Sequence, residues 1–223
     1  MVGIMQPYFF PYLGYFQLIS AVDTYVNLDH VSFMKRSYMT RNKLKNGVSI
    51  NLNVHGGSQN KKCNEIYVNF SNNYITKFLK TLHQLYSKDV NYRIVLDEII
   101  LPEFVEREIT ISEFNLNLIK KICNYLEIKT KIINTSSIFN DTNLKKGEGL
   151  KSIIKQLNYK NYVNAIGGQS LYDKEDFKKD GIELNFIEMG EVDFDDRYSS
   201  ILDLLFKYDK EFIQNQITKY KLI

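Results

Sequence analysis

Short apolar blocks and longer amphipathic blocks alternate along the chain, and they predict strands and helices in turn. An apolar run at 13–21 is compatible with a helix and lies between two strand-like runs. This strand, helix, strand order predicts a βαβ unit and therefore a parallel sheet. Runs rich in β-branched and aromatic residues predict strands at 2–6, 23–29, 66–70, 131–134, 161–166 and 182–187.

The middle of the chain follows a helical period. At 71–86, apolar side chains recur every three or four residues after a serine that is a suitable N-cap. Residues 90–100 and 104–126 are two further helical candidates. We therefore expect a single α/β domain over residues 1–223, with a helical insertion or lid at 71–127. Shorter helices are predicted at 149–157, around Phe177, at 199–206 and at 210–216. The fold class predicted is a mainly parallel, mixed sheet with helices on both faces.

The loop after the first strand carries two of the three prolines of the chain and is dense in aromatic residues. Stiff loops between a first strand and a first helix are where open α/β sheets bind ligands. A second interpretation is open, in which the aromatic side chains of this loop are core. The ligand-binding interpretation selects Gln6, Pro7, Tyr8, Phe10, Gly14 and Tyr15.

The segment from Asp29 to Lys43 is dense in groups that bind anions or transfer protons. Asn46-Gly47 follows, and it predicts a hairpin because both residues tolerate positive φ. The hairpin would place Arg41 and Lys43 on one face, and Asn42 and Leu44 on the other. A salt bridge between Asp29 and Arg41 that fixes the hairpin is the structural alternative to a functional role for either residue.

A glycine pair, Gly167-Gly168, follows directly after the strand predicted at 161–166. Glycines at the carboxyl end of a strand allow a ligand to approach the backbone closely. A plain tight turn is an equally good interpretation of the pair.

Composition excludes several classes of protein. The net charge is +3 and the lysines are spread along the chain, which gives no strong electrostatic argument for nucleic acid. Cys63 and Cys123 are isolated and favour two reduced thiols, with neither a disulfide framework nor a metal site. No apolar run is long enough to span a membrane, and no basic, then apolar N-terminal signal is present, so the cytoplasm is expected. Phosphate-binding glycine motifs, G-x-S-x-G and H-E-x-x-H are absent.

Four blocks of the chain resemble the WbqC-like proteins. The blocks are 6–16, 29–36 with Tyr38 and 41–42, 167–168 with 171–172, Phe177 and 181–182, and 199–206. That family more often has an acidic residue at the position of His30 and a tryptophan at the position of Tyr38. It is bacterial and is often encoded among genes for O-antigen, capsule or related surface glycans, so the resemblance implies a pathway more firmly than a reaction.

A second resemblance concerns the fold alone. Strand, proline-containing loop, Gly14 and helix are similar to the opening of nucleotidyltransferase-like folds, in which H-x-G-H binds nucleotide phosphates. Tyr12-Leu13-Gly14-Tyr15 stands where that motif would lie, with both histidines replaced by tyrosine. An unperturbed tyrosine has a pKa near 10, which makes it a poor proton carrier at neutral pH.

These resemblances imply an enzyme of O-antigen or capsule precursor biosynthesis that acts on a nucleotide-activated sugar, by acyl or aminoacyl transfer to a sugar amine. Asp29 or His30 would be the base, and Lys35, Arg36 and Arg41 would bind pyrophosphate. Neutral donors would come from Asn42 and the glycine pair. The aromatic residues implied as substrate contacts are Tyr8, Phe10, Tyr15, Tyr38 and Tyr172.

The expected partners are a nucleotide-linked sugar and an activated acyl or aminoacyl donor, with nucleic acid expected only as a tRNA donor. No cofactor is assigned. Two alternatives are open. A nucleotidyl- or glycosyltransferase would favour Mg²⁺, and the D-x-D at 193–195 is the nearest acidic motif, although a solvated loop is its more usual role. A binding protein without catalysis is the other alternative.

Overall fold

The computed structural model describes residues 1–141 and 147–223. Within those ranges the chain forms ten strands and eight α-helices. The strands are β1 (Val2–Met5), β2 (Thr24–Asn27), β3 (Arg41–Lys43), β4 (Ser49–Asn51), β5 (Val54–His55), β6 (Tyr67–Val68), β7 (Lys131–Ile133), β8 (Asn161–Ala165), β9 (Glu183–Met189) and β10 (Tyr220–Leu222). The helices are α1 (Leu13–Ser20), α2 (Asn72–Tyr86), α3 (Tyr92–Val95), α4 (Ile111–Tyr125), α5 (Glu148–Gln156), α6 (Lys174–Lys179), α7 (Ile201–Lys207) and α8 (Lys210–Ile217).

Six strands form the central sheet, in the order β10-β9-β8-β1-β2-β7. All neighbouring strands are parallel except β10, which pairs antiparallel with β9. The mainly parallel sheet that the sequence predicts is thus confirmed. The chain runs from β1 outward through β2 to β7, and then returns to the other side of β1 to build β8 and β9. The order therefore reverses between β1 and β8.

Two hydrophobic cores cover the two faces of this sheet. On one face, Ile4 of β1 and Tyr162 of β8 pack with Ile153 of α5 and Phe177 of α6. On the other face, strand residues such as Val163 join the side chains of α1, α4, α7 and α8. Successive residues of a strand point to opposite faces, which explains why Tyr162 and Val163 belong to different cores. Helices on both faces are therefore confirmed.

Local sequence sets the helix boundaries. Ser71 accepts a hydrogen bond from the backbone N–H of Tyr74 at 3.3 Å and caps α2, as predicted. The prediction of one helix over 104–126 is wrong at its start, because Thr110 and Glu113 form a reciprocal capping box that begins α4 at Ile111. Residues 90–100 were predicted as one helix, but they contain α3 and a π-helical turn, Leu96–Ile100.

The predicted hairpin is confirmed. β3 and β4 pair antiparallel, and Asn46 and Gly47 in the connection have φ values of 60° and 71°. Asn42 is buried while Arg41 and Lys43 are exposed, as the alternation requires. By contrast, the sequence prediction ended the sheet at 182–187, and the three-residue strand β10, Tyr220–Leu222, was not anticipated.

The helices between β6 and β7 share a core with the rest of the chain. Phe78 of α2 and Phe114 of α4 lie in the same cluster as Phe16 of α1 and Phe206 of α7. The interpretation of residues 71–127 as an insertion or lid stays a prediction. No helix in the described ranges is long and apolar enough to cross a membrane.

Candidate functional site

A cavity of about 400 Å³ lies at the carboxyl ends of β1 and β8, where the strand order reverses. Met5 and Gln6 at the end of β1 line one side, and Asn164 and Ala165 of β8 line the other. In open α/β sheets, the crevice outside the strand ends at such a reversal is the usual place for a ligand. The topology therefore selects this cavity from among the surface pockets of the described residues.

Tyrosine dominates the lining. Among the described residues that line the cavity there is no Asp, Glu, Lys, Arg or His, and the remainder are aliphatic side chains, glycines, an alanine and the amides Gln6 and Asn164. The site is therefore uncharged but rich in hydroxyl groups. The tyrosines that line it are Tyr8, Tyr12, Tyr15, Tyr38, Tyr162 and Tyr172.

Three of these rings form a continuous series from the interior to the mouth. The ring centroid of Tyr8 lies 5.6 Å from that of Tyr15 and 5.5 Å from that of Tyr38. Tyr15 is buried, whereas Tyr38 is 62% exposed. At the far end, the Tyr15 hydroxyl donates to the backbone oxygen of Gln6 at 2.7 Å and lies 2.5 Å from the Tyr25 hydroxyl. A planar ligand entering the mouth would meet aromatic faces along this series.

Five of the tyrosines that line the cavity have raised pKa values. Burial, together with the neighbouring Tyr198, raises the pKa of Tyr12 to about 12. Burial likewise raises the pKa of Tyr15 and of Tyr162 well above the ordinary value, and raises those of Tyr8 and Tyr172. At neutral pH these hydroxyls can donate and accept hydrogen bonds, but they cannot act as bases.

Buried side chains fix the backbone of the opening loop. The Asn42 amide donates to the backbone oxygens of Phe9 and Phe10 at 3.1 and 2.6 Å, and the Ser200 hydroxyl donates to that of Phe10 at 2.9 Å. Phe10 has a φ of 44°, which is rare for an aromatic residue. These bonds hold the unusual backbone in place. Asn42 therefore acts as a clamp, since its amide holds the backbone of the opening loop in place.

A second clamp comes from α4. The Asn115 amide donates to the backbone oxygen of Pro7 at 3.0 Å and to that of Met39 at 2.8 Å. It therefore ties the opening loop to the segment that carries Tyr38. The ring of Phe10 stacks against Phe104 in the core, which places it away from the cavity lining.

Two glycines make room for cavity side chains. A Cβ at Gly14 would lie 2.8 Å from Cζ of Tyr12, so glycine is what allows that ring to fold over the first turn of α1. A Cβ at Gly168 would lie 2.8 Å from Nδ2 of Asn164, the buried amide at the end of β8. At Gly167 no heavy atom lies within 4 Å of the corresponding position.

The candidate bases lie at the end of β2, beside the cavity lining. Leu28 lines the cavity, and the next residue, Asp29, is 5% exposed. One oxygen of Asp29 accepts from the backbone N–H and the hydroxyl of Ser136, both at 2.9 Å. The His30 ring is in contact with the ammonium group of Lys62. Among the described residues, no ion pair joins Asp29 to Arg41.

The candidate phosphate-binding side chains lie at the mouth and outside it. Met34 and Tyr38 both line the cavity, and the exposed Lys35 and Arg36 lie between them in the chain. Arg41 lies on the exposed face of β3 and is not part of the lining. The cavity thus has a neutral interior with two cations on the loop at its edge.

Comparison with known proteins agrees with the motifs in the sequence. The model of the WbqC-like protein family matches residues 6–215, nearly the whole chain. The chain belongs to the WbqC-like protein family. It is also 26% identical to an uncharacterized protein of Mycobacterium tuberculosis, over 94% of each chain. No solved structure matches the chain.

In this WbqC-like chain, the structure brings together more of the predicted substrate contacts than of the predicted catalytic groups. Pro7, Phe10 and Arg36 lie in loops around the cavity, Gly14 lies in the first turn of α1 and Asn42 lies in β3. None of these five residues lines the cavity, and Asp29, His30, Lys35 and Arg41 also lie outside the lining. The predicted contacts that line the cavity are Gln6, Tyr8, Tyr15, Tyr38, Gly167, Gly168 and Tyr172.

Sequence reasoning missed several residues that line the cavity of this WbqC-like chain. Tyr12 lies in the loop already singled out, and Tyr162 and Asn164 alternate with Val163 on β8, so the strand period could have found them. Leu150 comes from α5, which is distant in sequence and carries no such signal.

A metal centre finds no support in the described part of this WbqC-like chain. No group of three His, Cys, Asp or Glu side chains in the described ranges is placed to hold a metal ion. The carboxylate of Asp193, the first residue of the D-x-D, accepts from Lys219 at 2.5 Å and from Gln216 at 3.0 Å.

Proposed function

We propose that the chain is a cytoplasmic enzyme that binds a nucleotide-activated amino sugar and transfers an acyl or aminoacyl group to the sugar amine. One observation carries the proposal. An uncharged, tyrosine-lined cavity lies at the strand reversal, and the cations Lys35 and Arg36 lie on the loop at its edge. The strand order and this cavity also support a nucleotidyltransferase-like assignment of the fold. The two buried free thiols, Cys63 and Cys123, support a reducing compartment.

The chemistry of the lining suits a sugar. Phenolic hydroxyls and two amides can pair with sugar hydroxyls, and the rings of Tyr8, Tyr15 and Tyr38 offer apolar faces. Small-molecule sites in proteins are commonly clefts of this kind, with volumes of about 300–1,000 Å³. The negative diphosphate would lie at the mouth against Lys35 and Arg36.

The lining also favours the reactive form of the amine. Placing an ammonium ion among uncharged groups disfavours its charge and lowers its pKa, which leaves a neutral nucleophile. The amine nitrogen attacks the carbonyl carbon of an activated ester or thioester. A C–N bond forms, the bond to the leaving oxygen or sulfur breaks, and the amine proton passes to the leaving group.

Two sets of groups would assist this step. Asp29 or His30 would carry the proton, since the phenols of the cavity cannot do so at neutral pH. The hydroxyls and the backbone N–H groups of Gly167 and Gly168 would donate to the developing oxyanion. This assignment requires Asp29 or His30 to approach the bound amine.

A second candidate function is binding without catalysis. It is favoured by the same lining, in which no described residue is an Asp, Glu, Lys, Arg or His. Nucleotidyl or glycosyl transfer is supported less well, because the lining offers no carboxylate for Mg²⁺.

Thermal unfolding in the presence of nucleotides and nucleotide-sugars tests the binding step, with and without an amine on the sugar. A ligand that binds only the folded state raises the apparent stability, by about 2.7 kcal/mol at a hundredfold excess over Kd. We expect a rise in Tm that requires the amino sugar and is lost in Tyr38→Ala. Tyr67→Ala, which removes an exposed tyrosine outside the cavity, is the matched control. A flat response across the panel contradicts the proposal.

Mass spectrometry of the acylated sugar tests the reaction. We expect product formation to fall in Asp29→Asn or His30→Ala while the thermal shift persists. If the wild type binds the nucleotide-sugar fully but forms no product with any activated acyl donor, the result would favour a binding protein instead.

A further inference from the structure

In one stretch of the chain, every charged residue is basic. Residues 30–64 contain seven Lys or Arg and no Asp or Glu. The rest of the chain has 22 basic and 26 acidic residues, a balance of −4. The net charge of +3 therefore combines a strongly positive segment, 30–64, with a remainder that is slightly negative.

Backbone bonds bring two parts of this basic stretch, around Phe33 and around Lys61, together beside the mouth of the cavity. The N–H of Phe33 donates to the backbone oxygen of Lys61 at 2.8 Å, and Ser32 and Lys62 form an isolated β-bridge. Met34, the next residue after Phe33, lines the cavity. Lys61 is therefore held close to the loop that carries Lys35 and Arg36.

Most of these cations lack acidic neighbours. Lys45 pairs with Asp89 at 3.1 Å. Exposed residues of the stretch with no carboxylate within ion-pair distance in the described ranges are Lys35, Arg36, Arg41, Lys43 and Lys61. This surplus of positive charge suits a negatively charged partner.

The mouth itself is apolar. Met34 is 49% exposed, and Leu171 and Tyr198 are each 71% exposed. Met34 and Leu171 line the cavity, and Tyr198 lies against Tyr12, with 5.7 Å between their ring centroids. Exposed Met, Tyr and Arg are the residue types enriched at protein interfaces.

We infer that the stretch 30–64 and the apolar mouth form a docking surface for an acidic protein that carries an acyl group as a thioester on a flexible arm. The inference rests on the proposed function, because it names the macromolecule that brings the acyl donor to that cavity. The arm would deliver the thioester carbonyl to the sugar amine. The C–N bond forms, the C–S bond breaks, and the carrier thiol leaves with the amine proton. Exposed Met34, Tyr38 and Tyr198 at the mouth are of residue types enriched at protein interfaces, which favours a protein partner. RNA, whose bases could stack on the two tyrosines, is an outcome of the test.

The test measures binding of a purified holo acyl carrier protein to the full chain by surface plasmon resonance, at low and high ionic strength. We expect binding that weakens with salt and falls about tenfold in the double variant Lys43→Glu, Lys61→Glu, because rim charges govern encounter with an oppositely charged partner. The matched control is Lys80→Glu, Lys88→Glu, which changes the net charge equally at exposed positions outside the stretch. We expect the control to bind as the wild type does.

Each other outcome overturns the docking surface in a distinct way. Carrier binding that falls equally in both double variants would reduce the effect to net charge. Salt-sensitive binding of total tRNA, with no binding of the carrier, would assign the surface to RNA. If neither macromolecule binds while the nucleotide-sugar still raises Tm, the docking surface is wrong and the proposed function stands. If the nucleotide-sugar also has no effect, both fail.

Discussion

Tyr74 carries a hydroxyl that is buried and has no hydrogen-bond partner among the described residues. Burying an unpaired hydroxyl costs free energy, and phenylalanine has the same ring without that group. We expect Tyr74→Phe to increase the free energy of unfolding at neutral pH by about 1 kcal/mol, measured by urea denaturation. Tyr15→Phe is the contrasting control, since it removes a hydroxyl that donates to Gln6 and should destabilise the fold by about 1–2 kcal/mol. A loss of stability in Tyr74→Phe would show that its hydroxyl has a partner after all.

The same buried phenols make the fold sensitive to alkali. Burial raises the pKa of Tyr15, Tyr25, Tyr74 and Tyr162 above the ordinary value of 10.0. Above pH 10 the unfolded chain loses these protons while the folded chain keeps them, so the folded state binds more protons and its stability falls as pH rises. We expect the free energy of unfolding to decline above pH 10, less steeply in Tyr74→Phe. A parallel decline in the variant and the wild type would assign the effect to other groups.

The paired glycines after β8 differ in what they permit. A side chain at Gly168 would meet the Asn164 amide, whereas one at Gly167 would meet nothing. We expect Gly168→Ala to displace Asn164 and weaken binding of the nucleotide-sugar about tenfold, by isothermal titration, with Gln169→Ala, an exposed residue outside the lining, as the control. Equal affinity in both variants would remove Asn164 from the binding site.

At the scale of residues, the sequence predicted side chains that follow a strand end or lie in a proline-rich loop, such as Gln6, Tyr8 and Gly168. Their local neighbours carry the signal. It could not predict that Asn42 and Asn115 clamp backbone oxygens, because those contacts join segments distant along the chain. In the sequence, an asparagine that clamps a backbone oxygen looks the same as any other asparagine.

Helices α5 and α6 meet at a buried lysine. Lys151 contacts Glu148, Asp176 and Asp180 at 2.8, 2.7 and 2.9 Å. Burial disfavours its charge, but hydrogen bonds to Asp176 and Glu148 outweigh burial and raise its pKa. Because Leu150 of the same helix lines the cavity, this junction also supports one wall of the site.

Removal of the Lys151 charge should loosen that junction. Lys151→Met removes three ion pairs, but water can reach the carboxylates that remain, so the loss is modest. We expect the free energy of unfolding, measured with urea, to fall by about 1–2 kcal/mol. Lys155→Met is the control, since Lys155 is half exposed and, among the described residues, forms an ion pair with Asp180 alone. An equal loss in both variants would contradict a special role for the buried lysine.

Acid should act on the same junction. Hydrogen bonds from Lys155 and Lys151 lower the pKa of Asp180 below its usual 3.8. Its contribution is therefore present above pH 3.8 and is lost as pH falls through the lowered value. Circular dichroism of the wild type and Lys151→Met through this range should show a smaller acid-induced loss of stability in the variant.

At the scale of elements, most helices and strands were predictable because their period and caps are local. α2 shows this, with its serine cap and apolar stripe. β10 was not predictable, because three residues with a polar centre form a strand only by pairing with β9. The start of α4 could have been found from the spacing of Thr110 and Glu113, which is that of a capping box.

The whole molecule should unfold as one unit. Side chains from α2 and α4 share a core with α1 and α7, and the two cores share one sheet. We expect urea unfolding followed by far-ultraviolet circular dichroism and by tyrosine fluorescence to give coincident, single transitions. Two separated transitions would instead support an independently stable insertion at 71–127.

The order of the strands has a consequence for the path of folding. Val2 pairs with Thr24, 22 residues away, and also with Tyr162, 160 residues away. Contacts that close long stretches of chain cost more entropy and form slowly. The unit of β1, α1 and β2 can form early, but the cavity requires the late return of β8 to β1. During synthesis, the growing chain must therefore expose the β8-facing edge of β1 until β8 has been made, and this edge is the segment that a chaperone would have to protect.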